Sequence, residues 1–417
     1  FFDSDPTGST MRFDKDMLAK GLDLLLAEYP DSPMVASANI GLSAHTLQDR
    51  KRTLAALKHA KGRLDFLQFK DEYWYKSAVT FMTTIAWDPK AVGLPEITTI
   101  RVGIPPEFNA RMEKAAAGGP RGLEELIQHF RSQEVTDKDG NHNSIHFFNW
   151  FRKDVKEMHD YRDFQRKGKL LAAWTAEFPD SPFARLAAAH YGIENAWDAR
   201  SDNWGHKVQE SQWEVFASRL KTVRQDLEAS RELQASEPAW SVVASTYCLG
   251  AGDDKMFAEV SEELFRNFPE CDDFVQYSAS HFMPKWGGRP GSWEPWLREM
   301  LKDHPEDVRA MGYARGVMCH LGYIRYSTDQ KDEMLGNVKL DEKQLKQGIT
   351  LLREKYPDSN RIANMEAMWS CKLTDDYNTG YRAMQRMNGT LDLEIWYGYD
   401  NYDRSVRHVT WKKSQEK

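Results

Sequence analysis

Apolar residues recur along this chain at intervals of three and four, the spacing that lines one face of an α-helix. Leu18, Leu22, Leu25 and Leu26 form one such stripe, and Leu345, Ile349, Leu351 and Leu352 form another. From Asp358, a stripe of Ile362, Met365, Met368, Trp369 and Leu373 meets a turn at Thr374-Asp375-Asp376, and Tyr377, Tyr381, Ala383 and Met387 line the return. A second unit runs from Pro238 through Trp240, Val243 and Leu249 to Gly250-Ala251-Gly252-Asp253, then back through Met256, Val260 and Leu264. Each reads as a helix, a turn and a second helix.

Between the stripes one phrase repeats. It appears as Tyr29-Pro30-Asp31-Ser32-Pro33, Phe178-Pro179-Asp180-Ser181-Pro182, Phe268-Pro269-Glu270-Cys271, His304-Pro305-Glu306-Asp307 and Tyr356-Pro357-Asp358-Ser359. Proline lacks an N–H and crowds the preceding turn, so it stops one helix, while Asp or Ser accepts the free N–H groups that open the next. The aromatic or His before it can fill the gap between the two helices. Helix-turn-helix units of about 34 residues have the tetratricopeptide length. The expected fold is therefore all-α: a tetratricopeptide-like helical repeat array (an α-solenoid) with loop insertions and a small C-terminal hairpin.

Spacing between the junctions is uneven, so the array is interrupted. Residues 87–106 hold Pro89, Pro95, Pro105 and Pro106 among β-branched residues and read as a long loop or short hairpin. Residues 132–144 are polar and read as exposed. The tail from Thr390 to Trp411, with Asp400-Asn401 between two apolar runs, reads as a small hairpin or packed cap. The expected division is 1–86 for N-terminal helical repeats, 87–159 for an insertion, 160–388 for the main array and 389–417 for a C-terminal cap or tail.

Composition narrows the function. Charged residues at 29% and hydrophobic ones at 41% suit a folded soluble chain, and no apolar run approaches the roughly 20 residues of a membrane span. The net charge of -7, with Lys and Arg scattered among Asp and Glu, offers no basic stripe for nucleic acid. Cys248, Cys271, Cys319 and Cys371 lie too far apart for a zinc or CxxC pair and read as buried free thiols, which tilts the compartment toward the cytoplasm. The chain begins at Phe1, so it reads as a processed or truncated form, or one with added residues ahead of Met11, and its compartment stays open.

One loop stands out for binding. In Pro284-Lys285-Trp286-Gly287-Gly288-Arg289-Pro290-Gly291 the glycines and prolines set an unusual path, and Trp286, Trp293 and Trp296 share a neighbourhood with Lys285 and Arg289. Aromatic faces beside cations suit a peptide carboxylate, a sugar ring or a partner loop. The alternative is that Trp286 wedges between helix pairs and the glycines permit a close backbone pass. The candidate binding residues are thus Lys285, Trp286, Gly287, Gly288, Arg289, Trp293 and Trp296.

Other constellations are incomplete. Asp137-Lys138-Asp139-Gly140-Asn141 has the look of a calcium loop, but with Gly140 at the sixth position Val135 and His146 fall where acidic ligands are needed, which leaves an Asp-Gly turn. His142 and His146 could share a helix face, with Glu157, His159 and Asp160 close behind, yet nothing in the spacing forces a metal set. Glu124-Glu125 and Glu262-Glu263 are adjacent on helices, point apart and read as solvated faces. No nucleophile elbow, P-loop or dinucleotide fingerprint is present. No catalytic residue, metal or cofactor is expected.

Residues 169–323 resemble an uncharacterised family of bacterial tetratricopeptide-like proteins, a domain of unknown function. The resemblance rests on Phe178-Pro179-Asp180-Ser181-Pro182-Phe183-Ala184-Arg185, Ala196-Trp197-Asp198-Ala199-Arg200, Phe216 through Leu220, Glu237-Pro238-Ala239-Trp240 and above all Pro284-Lys285-Trp286-Gly287-Gly288 followed by Trp293. Relatives carry a glycine-rich turn where this chain has Ser201-Asp202-Asn203. The resemblance implies a helical repeat fold and brings no activity. The expected function is a non-catalytic scaffold that binds a protein or peptide partner through a helical-repeat groove or the Trp286 loop. Two alternatives stand beside it: a hydrolase or metalloenzyme with its site in 87–159, and a protective partner of a bacterial toxin.

Overall fold

The computed structural model describes residues 2–4, 11–13, 15–28, 93–101, 105–152, 161–201, 205–283, 286–289, 291–326, 338–372, 374, 376–396 and 399–415. The first junction phrase and most of the expected N-terminal repeats lie outside them. The chain divides into two compact units, residues 1–94 with 403–417, and residues 95–402. In the first, β1 (Phe2–Ser4) pairs antiparallel with β2 (Met11–Phe13), and α1 (Lys15–Glu28) buries Leu22.

The second unit is a helical repeat array. It opens with β3 (Thr99–Arg101), α2 (Pro106–Ala117), α3 (Gly119–Ser132), the short α4 (Asn143–Asn149) and α5 (Tyr161–Glu177). Five helix pairs follow: α6 (Pro182–Arg200) with α7 (Glu210–Ala229), α8 (Pro238–Ala251) with α9 (Asp254–Asn267), α10 (Asp272–Ser278) with α11 (Trp293–Leu301), α12 (Glu306–Tyr326) with α13 (Glu342–Lys355), and α14 (Asn360–Lys372) with α15 (Tyr377–Arg386). The first helices of the middle pairs start at 238, 272 and 306, a period of 34 residues. Along the array α6 packs on α8, α8 on α10 and α10 on α12. Helices α8 and α14 are buried on nearly every side, as interior helices are.

Two of the junction phrases cap the next helix as their chemistry predicts, whereas at Phe268-Pro269-Glu270-Cys271 no side chain caps α10. Ser181 is the N-cap of α6, accepting from the Ala184 N–H, and its hydroxyl donates to Glu124 of α3 at 2.7 Å. Ser359 repeats the arrangement, accepting from the Ile362 N–H at 3.0 Å and donating to Asp139 at 2.7 Å. One hydroxyl thus closes a helix end and ties the array to the residues before it. Glu124 also accepts from the Trp174 indole at 2.9 Å, so it is an anchor of that junction and not a solvated charge.

Two expectations are corrected. Residues 132–144 are not uniformly exposed: Asp139, Asn141, Asn143 and Ser144 are buried, because each finds a fixed partner in the fold. The tail does not turn at Asp400-Asn401, which lie inside α17 (Tyr399–Gln415). Instead β4 (Thr390–Asp392) pairs in parallel with β3, Ile100 opposite Leu391, and α16 (Leu393–Trp396) follows it. Parallel partners need a long crossover, which no local turn signal announces.

Close helix contact is built in at Gly348 of α13, where an added Cβ would fall 1.9 Å from the Ala310 carbonyl oxygen of α12. The obstacle is backbone, so Gly348→Ala must separate the helices. A loss of about 3 kcal/mol is expected in urea unfolding, and an unchanged midpoint would contradict this packing.

Candidate functional site

Two faces of the second unit are candidates for a site. The first is the Trp286 loop. Gly287 and Gly291 have φ of +86° and +75°, and a Cβ on Gly288 would sit 2.2 Å from the Phe282 carbonyl carbon. The turn closes as the N–H groups of Trp286 and Gly288 donate to the Met283 carbonyl at 2.9 and 3.0 Å. Half-buried Trp286 meets Trp197 of α6 edge-on, with ring centroids 5.3 Å apart. The Arg200 guanidinium lies 5.5 Å from Trp286, 5.4 Å from Trp197 and 5.0 Å from Trp213 of α7. Three indoles from three segments therefore surround one arginine.

The other candidate residues diverge. Trp293 is fully buried and stacked on His320 at 4.3 Å. Half-buried Trp296 packs among Phe257, Phe265, Phe274 and Phe282. Arg289 and Gly287 are exposed, and Lys285 lies outside the described residues. Only Trp286 of the three tryptophans in that sequence stretch faces the α6–α7 pair. Its companions Trp197, Arg200 and Trp213 were not legible as a group, although Trp197 and Arg200 sit three apart on one helix face.

The second face is formed by the first helices of the pairs, and the chain's own residues 137–152 lie along it. Arg152 bonds Glu194 of α6 at 2.7 Å and the Tyr277 hydroxyl of α10 at 2.5 Å. Ser144 donates to Glu237, the N-cap of α8, at 2.5 Å. The Arg315 guanidinium of α12 donates to the Asp139 carbonyl at 2.5 Å, and Ser359 before α14 donates to its carboxylate. One short segment thus touches all five pairs. Ile145, Phe147, Phe148, Trp150 and Phe151 are fully buried within it. Exposing them would cost on the order of 10 kcal/mol, more than micromolar binding returns.

Asp137-Lys138-Asp139-Gly140-Asn141 is the tip of this segment. Asp137 accepts from the N–H groups of Asp139 and Asn141 at 2.8 and 2.9 Å and from the Asn141 amide at 3.1 Å. Gly140, at φ +80°, completes an Asp-Gly turn. Burial works to raise the Asp137 carboxyl, but the His146 ring 3.5 Å away and the Asn141 donors hold it well below the usual range. Among the described residues no group of three or more His, Cys, Asp or Glu is placed to hold a metal. Glu157, His159 and Asp160 lie outside them.

Residues 121–246 match the family model of a domain of unknown function (DUF4034). No curated protein and no solved structure matches the chain. The matched domain runs from α3 into α8, so it takes in the buried segment's aromatic helix, Trp197, Arg200 and Trp213. It covers less than a third of the chain and ends before Pro284-Lys285-Trp286-Gly287-Gly288. No helix among the described residues is long and apolar enough to cross a membrane. All four cysteines are buried and free.

Three histidines are held neutral. Burial, aided by the Arg315 charge, lowers His142 to about 4. Burial and Arg152 lower His190 to about 3, and burial alone lowers His320 to about 3. The unfolded chain takes up protons first, near its ordinary value of about 6.5, so stability is full above that pH and falls as pH drops toward the folded values. Each histidine should remove about 1.4 kcal/mol per pH unit below 6.5. Urea midpoints that fall steadily from pH 7 to pH 5 are expected, with a shallower slope for His320→Phe. A flat profile would contradict neutral burial.

Proposed function

We propose that the chain is a non-catalytic, tetratricopeptide-like scaffold of an uncharacterised bacterial family, and that it binds a protein partner through the Trp197, Trp213 and Trp286 face. The 34-residue period of the middle pairs supports the repeat type. The carrying observation for binding is the cluster itself. Trp213 is 38% exposed beside the half-buried Trp197 and Trp286, with Arg200 at the centre. Exposed tryptophan surface backed by an arginine is the composition of interface anchors. The first-helix face, where repeat arrays often take peptides, is filled by residues 137–152, which favours the tryptophan face.

The reading is tested with a photo-crosslinking residue at the exposed Gly205, whose added Cβ would lie 4.0 Å from both Arg200 and Trp213, in cells of the native source. A single partner captured by the parent protein should be lost, with binding weakened at least thirtyfold (about 2 kcal/mol), in a Trp213→Ala, Trp286→Ala double variant that still folds. Capture that survives the double variant would end the proposal. The same substitutions report on packing. Trp286 is only half-buried, so Trp286→Ala alone should cost about 2 kcal/mol in a melt, below the range for a fully buried indole.

A further inference from the structure

A cavity of about 120 Å³ opens between the C-terminal half of α7 and the start of α9. Its floor is apolar, made by the buried Trp240, Met256 and Val260, and Arg224, Arg231, Asp253, Lys255 and Glu259 stand around its mouth. An apolar cavity of roughly 150 Å³ holds a benzene ring, so this one has room for a single aliphatic side chain. The charges at the mouth cancel in pairs. Arg224 lies 3.0 Å from Asp253 and 3.1 Å from Glu228, Arg231 shares Glu228 at 3.1 Å, and Lys255 lies 3.7 Å from Glu259. Three cations thus meet three carboxylates, and a charged group entering from water would find no counter-charge left to match it. The fitting occupant is uncharged, because an apolar floor under a polar rim is the make-up of a pocket for an interface anchor.

The cavity continues the tryptophan face. Arg224 stands eleven residues beyond Trp213, close to three turns, so the two side chains leave one face of α7 about 16 Å apart along its axis. Beside that stretch runs the turn Gly250-Ala251-Gly252 at the end of α8. A Cβ on Gly250 would lie 3.2 Å from Phe216 and 3.5 Å from Trp197, which sets the start of the turn against the indoles. Ala251 and Gly252 are exposed, and a Cβ on Gly252 would meet nothing within 4 Å. The next residue, Asp253, already belongs to the cavity mouth. No side chain larger than a methyl group rises from the turn to separate the indoles from the cavity.

We propose that the partner of the tryptophan face binds through an extended segment, which lies on Trp197, Trp213 and Trp286, crosses the Gly250-Ala251-Gly252 turn and places one aliphatic side chain in the cavity over Trp240, Met256 and Val260. The inference rests on the tryptophan face as the binding surface. An extended chain advances about 3.3 Å per residue, so the aliphatic anchor falls about five residues from the part on the indoles. The Arg224–Asp253 bridge narrows the mouth, and a flat extended chain can approach it more closely than a helix about 10 Å across.

The test uses the full chain with a photo-crosslinking residue at Gly205, beside the indoles, or at Lys255, whose side chain is 88% exposed at the cavity mouth. Both positions should capture the same partner, and mass spectrometry should place the two linked residues on one segment, about five residues apart. A fluorescein-labelled peptide copying that segment should bind the parent in polarisation. Replacing its aliphatic residue nearest the Lys255 link by Ala should weaken binding at least tenfold, and Val260→Phe, which fills the cavity from the protein side, should weaken the unchanged peptide by a similar factor. If Val260→Phe does not fold, the peptide substitution decides alone. Links on separate segments or more than about eight residues apart would overturn the proposal, as would a peptide that does not bind or is indifferent to loss of its aliphatic residue. In those cases Gly205 capture that still requires Trp213 and Trp286 leaves the tryptophan face standing. Gly205 capture that survives the Trp213→Ala, Trp286→Ala double variant removes that face, and this proposal with it.

Discussion

Arg315 and the charges around it hold the second unit in register. A guanidinium 1% exposed must be matched closely, because an unpaired buried charge costs several kcal/mol. Its partners come from well-separated parts of the chain: Asp139 from the turn, Glu270 and Asp272 from the start of α10, with Arg361 and Asp392 completing the set. Burial works to raise the Asp272 carboxyl, yet the charges of Arg315 and Arg361 outweigh it and hold the group below its ordinary value. An arrangement of this kind adds little net stability over a greasy core, but it tolerates few alternative alignments.

The two faces differ in how they are held. Along the first helices the aromatic part of residues 137–152 is fixed by hydrophobic burial, and only its acidic tip is fixed by charge. The Trp286 loop is fixed by backbone: glycines at positive φ and a pass too close for a Cβ aim one indole at the α6–α7 pair. Apolar surface left there in contact with water is the less costly one to cover with a partner, because nothing must first be displaced.

The same logic explains why the calcium-like string is structural. Its carboxylates are consumed by local N–H donors, by Arg101 and by the Ser359 hydroxyl, so each oxygen has a partner already. An acidic motif read as a string cannot distinguish a metal ligand from an ion-pair member. Only the neighbours decide.

What the sequence determined by itself is the helical periodicity, the junctions and the closeness of backbone at the glycine loop. These are local matters: a proline stops a helix within a turn, Ser181 and Ser359 accept from N–H groups three residues on, and stripes of Ile, Leu and Met mark the buried faces of α13 and α14, although Leu25 of the α1 stripe is exposed. Tertiary structure alone decided what fills the first-helix face, that β3 pairs with β4, that Trp293 and Trp296 turn inward while Trp286 does not, and that Arg200 sits among Trp197, Trp213 and Trp286. Those contacts join residues tens to hundreds of positions apart, and no pattern in the chain encodes the partner of a buried charge. Asp139 shows the difference: its place in an Asp-Gly turn was legible, whereas its burial against Arg101, Arg315 and Ser359 depended on three residues that only folding brings together.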